Sequence, residues 1–171
     1  MTNVAPAGAV EELPREKVER FDQGIAAIVR RYPPDRKAAA MLPALHLGQE
    51  IFGCVSPAVQ RLAADRLGTS PARAEEVATF YVMYHTAPVG RHLVEICTNV
   101  SCCLTGSERI FEALKRKLGV ENGGTTADGR ITLREVECLG ACGTAPAMLV
   151  DDEMHERLSL QTVEGILGGL K

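Results

Sequence analysis

The 171-residue sequence lacks several features that would each have fixed a function class. It has no run of about 18 apolar residues, which excludes a membrane-spanning helix. Its first dozen residues have neither the basic start nor the apolar stretch of a secretory signal. The chain is therefore expected in the cytoplasm, where thiols stay reduced. It has no excess of basic charge: 19 Lys and Arg stand against 22 Asp and Glu, for a net charge of -3. That balance leaves no global attraction for nucleic acid or for an anionic membrane. There is no Gly-rich phosphate loop, no nucleophile–base arrangement and no pair of catalytic carboxylates. There is also no Cys-x-x-Cys, the spacing of dithiol redox enzymes and a frequent half of structural zinc sites. Tryptophan is missing too, and the remaining composition, 46% hydrophobic and 24% charged, is that of a soluble globular protein. The length allows one ordinary domain or two small ones.

Cysteine is what the chain has in unusual arrangement. Of its six, four fall in two close pairs, Cys97-Thr-Asn-Val-Ser-Cys102 and Cys138-Leu-Gly-Ala-Cys142, with 35 residues between the pairs. Each pair follows an apolar, strand-like run, so two loops from neighbouring strands are expected to bring four sulfurs to one point. In a reducing compartment such thiols are more readily ligands than disulfides. Thiolates hold iron–sulfur clusters, and the plant-type ferredoxin pattern also opens with Cys-x4-Cys. Gly140 and Gly143 bracket Cys142 and let the backbone approach closely. Backbone amides, with the Thr98 and Ser101 hydroxyls, are expected to face the sulfurs. Tetrahedral zinc on the same four thiols, in a non-redox assembly module, is the rival from another class, and the spacing favours the cluster over it. Cys54 reads as a packing residue and Cys103 as a spare thiol, since adjacent side chains diverge. His46, His85, His92 and His155 are scattered and read as ordinary surface or core residues.

Along the chain, residues 1–13 read as a tail. Residues 14–88 read as a small bundle of four amphipathic helices. Val18, Phe21, Ile25 and Val29 recur at helical spacing in the first, which Tyr32-Pro33-Pro34 stops. Asp35 is expected to cap the second, ending at Gly53. Ser56-Pro57 and Ser70-Pro71 open the third and fourth, with Val77, Phe80, Tyr81 and Tyr84 as the apolar face of the last. Pro88 and Gly90 mark a boundary, after which residues 89–171 read as a layered β-α-β-β-α domain. Its strands are His92–Cys97, Ile131–Glu137 and Ala147–Val150, with Met154–Leu158 as a hairpin partner. Its helices are expected to be capped at Thr105 and Ser159.

The two cysteine segments, together with Glu76-Val-Ala-Thr-Phe-Tyr81, Glu137-Cys-Leu-Gly-Ala-Cys142 and Ala145-Pro146, resemble the thioredoxin-like [2Fe-2S] subunit family, typified by the E subunit of bacterial NADH:quinone oxidoreductase, respiratory complex I. The resemblance runs from the first helix to the C-terminus. It implies an α+β chain in which a thioredoxin-like ferredoxin domain follows the helical bundle. It implies that Cys97, Cys102, Cys138 and Cys142 ligate one [2Fe-2S] cluster, with no catalytic residue in the chain. The implied partner is a flavoprotein subunit that carries the FMN and NADH sites, with which the cluster exchanges single electrons. The implied location is peripheral, on the cytoplasmic side of the inner membrane. Equivalent subunits of NAD-linked hydrogenases and formate dehydrogenases share the pattern. Cys103 departs from the residue usual at its position.

Overall fold

The structure, a computed structural model, describes residues 12–170. The tail expected over residues 1–13 lies outside them apart from its last two residues. The chain forms two compact units, one ending at Pro88 and the other beginning at Val89.

The first unit is helical: α1 (Arg15–Val29), α2 (Met41–Phe52), α3 (Pro57–Leu67) and α4 (Pro71–Phe80). Phe21 and Ile25 of α1 are buried, as their spacing requires, against Met41, Leu45, Val59 and Leu62. A bidentate Arg66–Asp22 pair at 2.6 and 3.0 Å ties α3 to α1. Ser56 and Ser70 cap α3 and α4 by accepting the N–H of Val59 and Arg73, each with proline at the first helical position. Gly53 and Gly68 close α2 and α3 at φ 89° and 66°, backbone that a Cβ would strain. Asp35 does not cap α2. It lies in a 3-10 helix, Pro34–Ala40, kinked at Arg36, and α2 starts only at Met41. The prolines preset that tighter turn and prevent one continuous helix.

The end of α4 also departs from expectation. The helix stops at Phe80, which points outward at 76% exposure, and Tyr81 turns to extended backbone. Ala74, Val77 and Ala78 make the buried stripe instead, and Tyr84 reaches the core from the following turn. Gln49 holds that turn, donating to the Met83 carbonyl at 2.9 Å and accepting the His85 N–H at 2.7 Å. The Tyr84 hydroxyl donates to the Leu42 carbonyl at 2.8 Å.

The second unit is a five-stranded sheet, ordered β2-β3-β1-β4-β5, with three helices: α5 (Val100–Leu104), α6 (Ser107–Leu118) and α7 (Leu160–Gly169). The strands are β1 (His92–Cys97), β2 (Gly124–Thr125), β3 (Ile131–Val136), β4 (Met148–Val150) and β5 (Glu153–His155). β1 and β3 are parallel, pairing His92 with Ile131 and Cys97 with Val136; the other pairings are antiparallel. Val94 and Ile96 of β1 and Leu133 of β3 point to one face, where Phe111 and Leu114 of α6 and Val163 of α7 cover them. Glu95 and Arg134 are register partners on the opposite face, joined at 2.5–2.7 Å with the carboxylate nearly buried. Arg134 therefore serves a partly buried ion pair between the two strands. Two elements escape the sequence reading: α5, and β2 in the Gly-rich stretch before β3. Thr105 does not cap α6; Gly106 does, at φ 99° and without a side-chain bond.

Candidate metal centre

Parallel β1 and β3 finish at the same end of the sheet, and that shared direction is what gathers the cysteines. Cys97 is the last residue of β1, and Cys138 follows β3 by two residues. β4 runs back from this end, its approach fixed by the Cys97 N–H donating to the Ala147 carbonyl at 3.1 Å. Cys142 opens the 3-10 turn, Cys142–Thr144, that leads into β4. Cys102 arrives on α5, which Asn99 starts and whose Cys103 N–H bonds back to the Asn99 carbonyl at 2.8 Å. The first pair is thus a strand end and a short helix, where a loop was expected.

The inner two sulfurs, those of Cys97 and Cys102, are buried; Cys138 and Cys142 are exposed. The thiols of Cys97 and Cys102 interact with each other, Cys97 also with Cys138, and Cys102 with the charge of Cys142. Burial is the strongest influence on Cys97 and raises its pKa. The Asn99 and Leu139 backbone N–H groups and the two neighbouring thiols outweigh it, so the net shift is downward. Burial also dominates at Cys102, aided by the Cys97 thiol, and holds its pKa up despite the Ala147 amide. The Cys97 thiol lies 3.9 Å from the Glu137 carbonyl. The Gly140 N–H donates to the Cys138 sulfur at 3.3 Å, with Gly140 at φ 76°. Leu139, Ala141 and Ala145 pack with Ala147 around the two buried sulfurs as a small apolar shell of their own.

Among the described residues no three His, Cys, Asp or Glu side chains are already grouped to hold a metal ion. The donor set nevertheless fits a four-thiolate group: sulfurs from two chain segments, inward amides, and low-dielectric surroundings. A Cβ at Gly140 or Gly143 would meet nothing within 4 Å, so the protein itself does not crowd these positions. Gly140 is needed for its backbone angle, and Gly143 has no such requirement.

Of the expected supports, the backbone amides meet the sulfurs and the Thr98 hydroxyl does not. The Thr98 hydroxyl donates to the Val136 carbonyl at 3.5 Å and Thr105 to the Ser101 and Cys102 carbonyls, so Thr98 braces the strand end and not a sulfur. The effective donors are the amides of Asn99, Leu139, Gly140 and Ala147, which residue type does not announce. Cys103 faces away, its thiol 3.3 Å from a Glu108 carboxylate that raises its pKa. Beside Thr98 an open groove is lined by Glu108, Glu112, Glu135 and Lys115. His92 pairs with Asp151 at 2.9 Å, and His46 stacks edge-on to Tyr84 in the first unit. Cys54 is a buried residue of the first unit.

The fold and this four-thiol corner define a class, and the family comparison agrees with it. Residues 25–171 match the family model of the thioredoxin-like [2Fe-2S] ferredoxin, and the chain belongs to that family. Its relatives include the NADH-quinone oxidoreductase E subunit of Mycobacterium bovis, 38% identical over 164 residues, covering 96% of this chain and 64% of the relative. The chain thus spans a little under two thirds of that relative's length. One of the NADH-quinone oxidoreductase E subunits of Rhizobium meliloti, its E 2 form, is 43% identical over 143 residues, 84% of each chain. The corresponding E subunit of Rickettsia bellii is 39% identical, covering 84% of this chain and 87% of that one. Among solved structures, the chain resembles part of an NAD+-reducing [NiFe]-hydrogenase in the H2-reduced state. There the TM-score is 0.67 at 21% identity over 79% of this chain and 22% of that one, a likeness of fold. No helix among the described residues is long and apolar enough to cross a membrane.

Proposed function

We propose that this chain is the electron-carrying E subunit of an NADH:quinone oxidoreductase, in which Cys97, Cys102, Cys138 and Cys142 ligate one [2Fe-2S] cluster. When bound, the cluster supplies a site that takes and returns one electron at a time. The partner is the FMN- and NADH-binding flavoprotein subunit of the same complex, on the cytoplasmic side of the inner membrane. The observation that carries this reading is the convergence of four thiols from two chain segments at one end of the sheet, with backbone N–H groups aimed at them. The roles of the chain's own residues follow from that geometry. Cys97 and Cys102 anchor from the apolar shell, whereas Cys138 and Cys142 lie toward solvent, the side open to a redox partner. The amides of Asn99, Leu139, Gly140 and Ala147 favour added negative charge and so raise the reduction potential relative to four bare thiolates. No proton is moved and no bond to substrate is made, so no acid or base is required. The relatives' names support the choice of parent complex.

The test is anaerobic purification with iron, sulfide and zinc analysis, and EPR before and after dithionite. About two irons and two sulfides per chain, EPR-silent when oxidised and spin-half when reduced, are expected for a cluster held by four thiolates. Alanine at 97, 102, 138 or 142 should lose or alter the cluster, while Cys54→Ala should leave it intact. One zinc and no iron would sink the electron-carrier reading and leave a structural module.

A further inference from the structure

Ser107 is wholly buried, and its hydroxyl finds no hydrogen-bond partner among the described residues. A buried hydroxyl left unpaired is destabilising. Alanine at that position would avoid this cost and favour the helix. The local outlets of a helical serine do not account for it. Ser107 does not cap α6, because Gly106 holds the cap position. The carbonyl four residues back, that of Cys103, accepts from the Gly106 N–H at 3.0 Å and not from Ser107.

Topology says what lies near this hydroxyl. β1 and β3 are parallel and end together at Cys97 and Val136. α6 must therefore start at that end and return to the beginning of β3. Its twelve residues cover about 18 Å at 1.5 Å each, close to the roughly 20 Å of a six-residue strand. The first turn of α6 thus stands where the four cysteines gather, and Thr98 and Phe111 line one groove there. Ser107 lies four and seven residues before Phe111 and Leu114, which pack on the sheet, so it belongs to the helix's inner face. α5, which carries Cys102, packs directly on α6.

We propose that the Ser107 hydroxyl is a hydrogen-bond donor to the cluster–thiolate unit held by Cys97, Cys102, Cys138 and Cys142, and that it tunes the unit's reduction potential. This rests on the cluster reading above. An O–H donor stabilises the reduced unit, which carries one more negative charge, more than the oxidised one, and so raises the potential. Ser107 is a positioning and tuning residue and takes no part in binding the metal.

The experiment compares Ser107→Ala with the unmodified full-length chain, both loaded and matched for iron and sulfide. Redox titration followed by EPR should show a more negative midpoint for the variant. Resonance Raman in H2O and D2O should show a smaller isotope shift of the Fe–S stretches in the variant, because one exchangeable donor has gone. Ser107→Thr, which keeps the hydroxyl, should restore the midpoint toward that of the parent. If Ser107→Ala only raises thermal stability, with midpoint and isotope shift unchanged, the serine is a bare buried hydroxyl and the proposal falls. An unmodified chain that holds no iron and sulfide overturns the cluster reading itself, an outcome distinct from a loaded pair with equal midpoints.

Discussion

Cys102 and Cys103 show how far one position along a short helix can separate two identical side chains. Cys102 turns into the apolar shell, while Cys103 turns to the Glu108 carboxylate. Tyr84 makes a second argument at this scale. Burial, with the neighbouring Tyr81, pushes its pKa from 10.0 up to about 12. The folded protein therefore holds the phenolic proton more tightly than the unfolded chain. Stability from this group is fully present below pH 10 and is lost as pH rises from 10 through about 12. The total loss is on the order of 2 kcal/mol. Tyr84→Phe should cost about 1 kcal/mol near neutrality, by losing the bond to the Leu42 carbonyl, and should flatten that alkaline decline. Urea unfolding of both proteins at pH 8, 10 and 11.5 measures it; parallel pH profiles would refute the assignment.

At the scale of elements, the well-marked helices are those with local signals. Ser56-Pro57, Ser70-Pro71 and the closing glycines Gly53 and Gly68 act within one turn, so they read directly from the sequence. Ser159 behaves likewise. It accepts the Thr162 N–H at 3.2 Å and donates its own N–H to the Thr162 hydroxyl at 2.8 Å, a reciprocal cap on α7. Ser159→Ala should cost about 1 kcal/mol. The loss should appear as faster amide exchange at the start of α7 with the Fe–S absorption unchanged. α5 is not legible in the sequence because five residues cannot sustain a helix by propensity; Asn99 and packing on α6 hold it. The outer end of α4 departs from its pattern for a related reason. Phe80 and Tyr81 fit a helical stripe by type, but the chain turns at Tyr81 once Gln49 captures the Met83 and His85 backbone.

For the whole molecule, each unit has its own core. Leu45 lies in one and Leu114 in the other, and both are fully or almost fully buried. Replacing either with alanine should cost about 2–5 kcal/mol, depending on how far the surroundings collapse. Hydrogen exchange should localise the Leu114→Ala effect to residues of the second unit, with cluster retention falling there, and the Leu45→Ala effect to residues of the first. Equal loss across both units for either variant would refute separate cores. The sequence by itself determined the starts of α3, α4 and α7, the two apolar strands and the cysteine spacing, because hydrophobic period, capping and ligand spacing are short-range properties. It also carried the family. Tertiary structure alone decided the sheet order, the pairing of Glu95 with Arg134, the outward turn of Phe80, the amides that meet the sulfurs and the burial of the Ser107 hydroxyl. Those depend on which distant segments meet: Gln49 with the Met83–His85 turn in the first unit, and in the second the parallel pairing of β1 with β3.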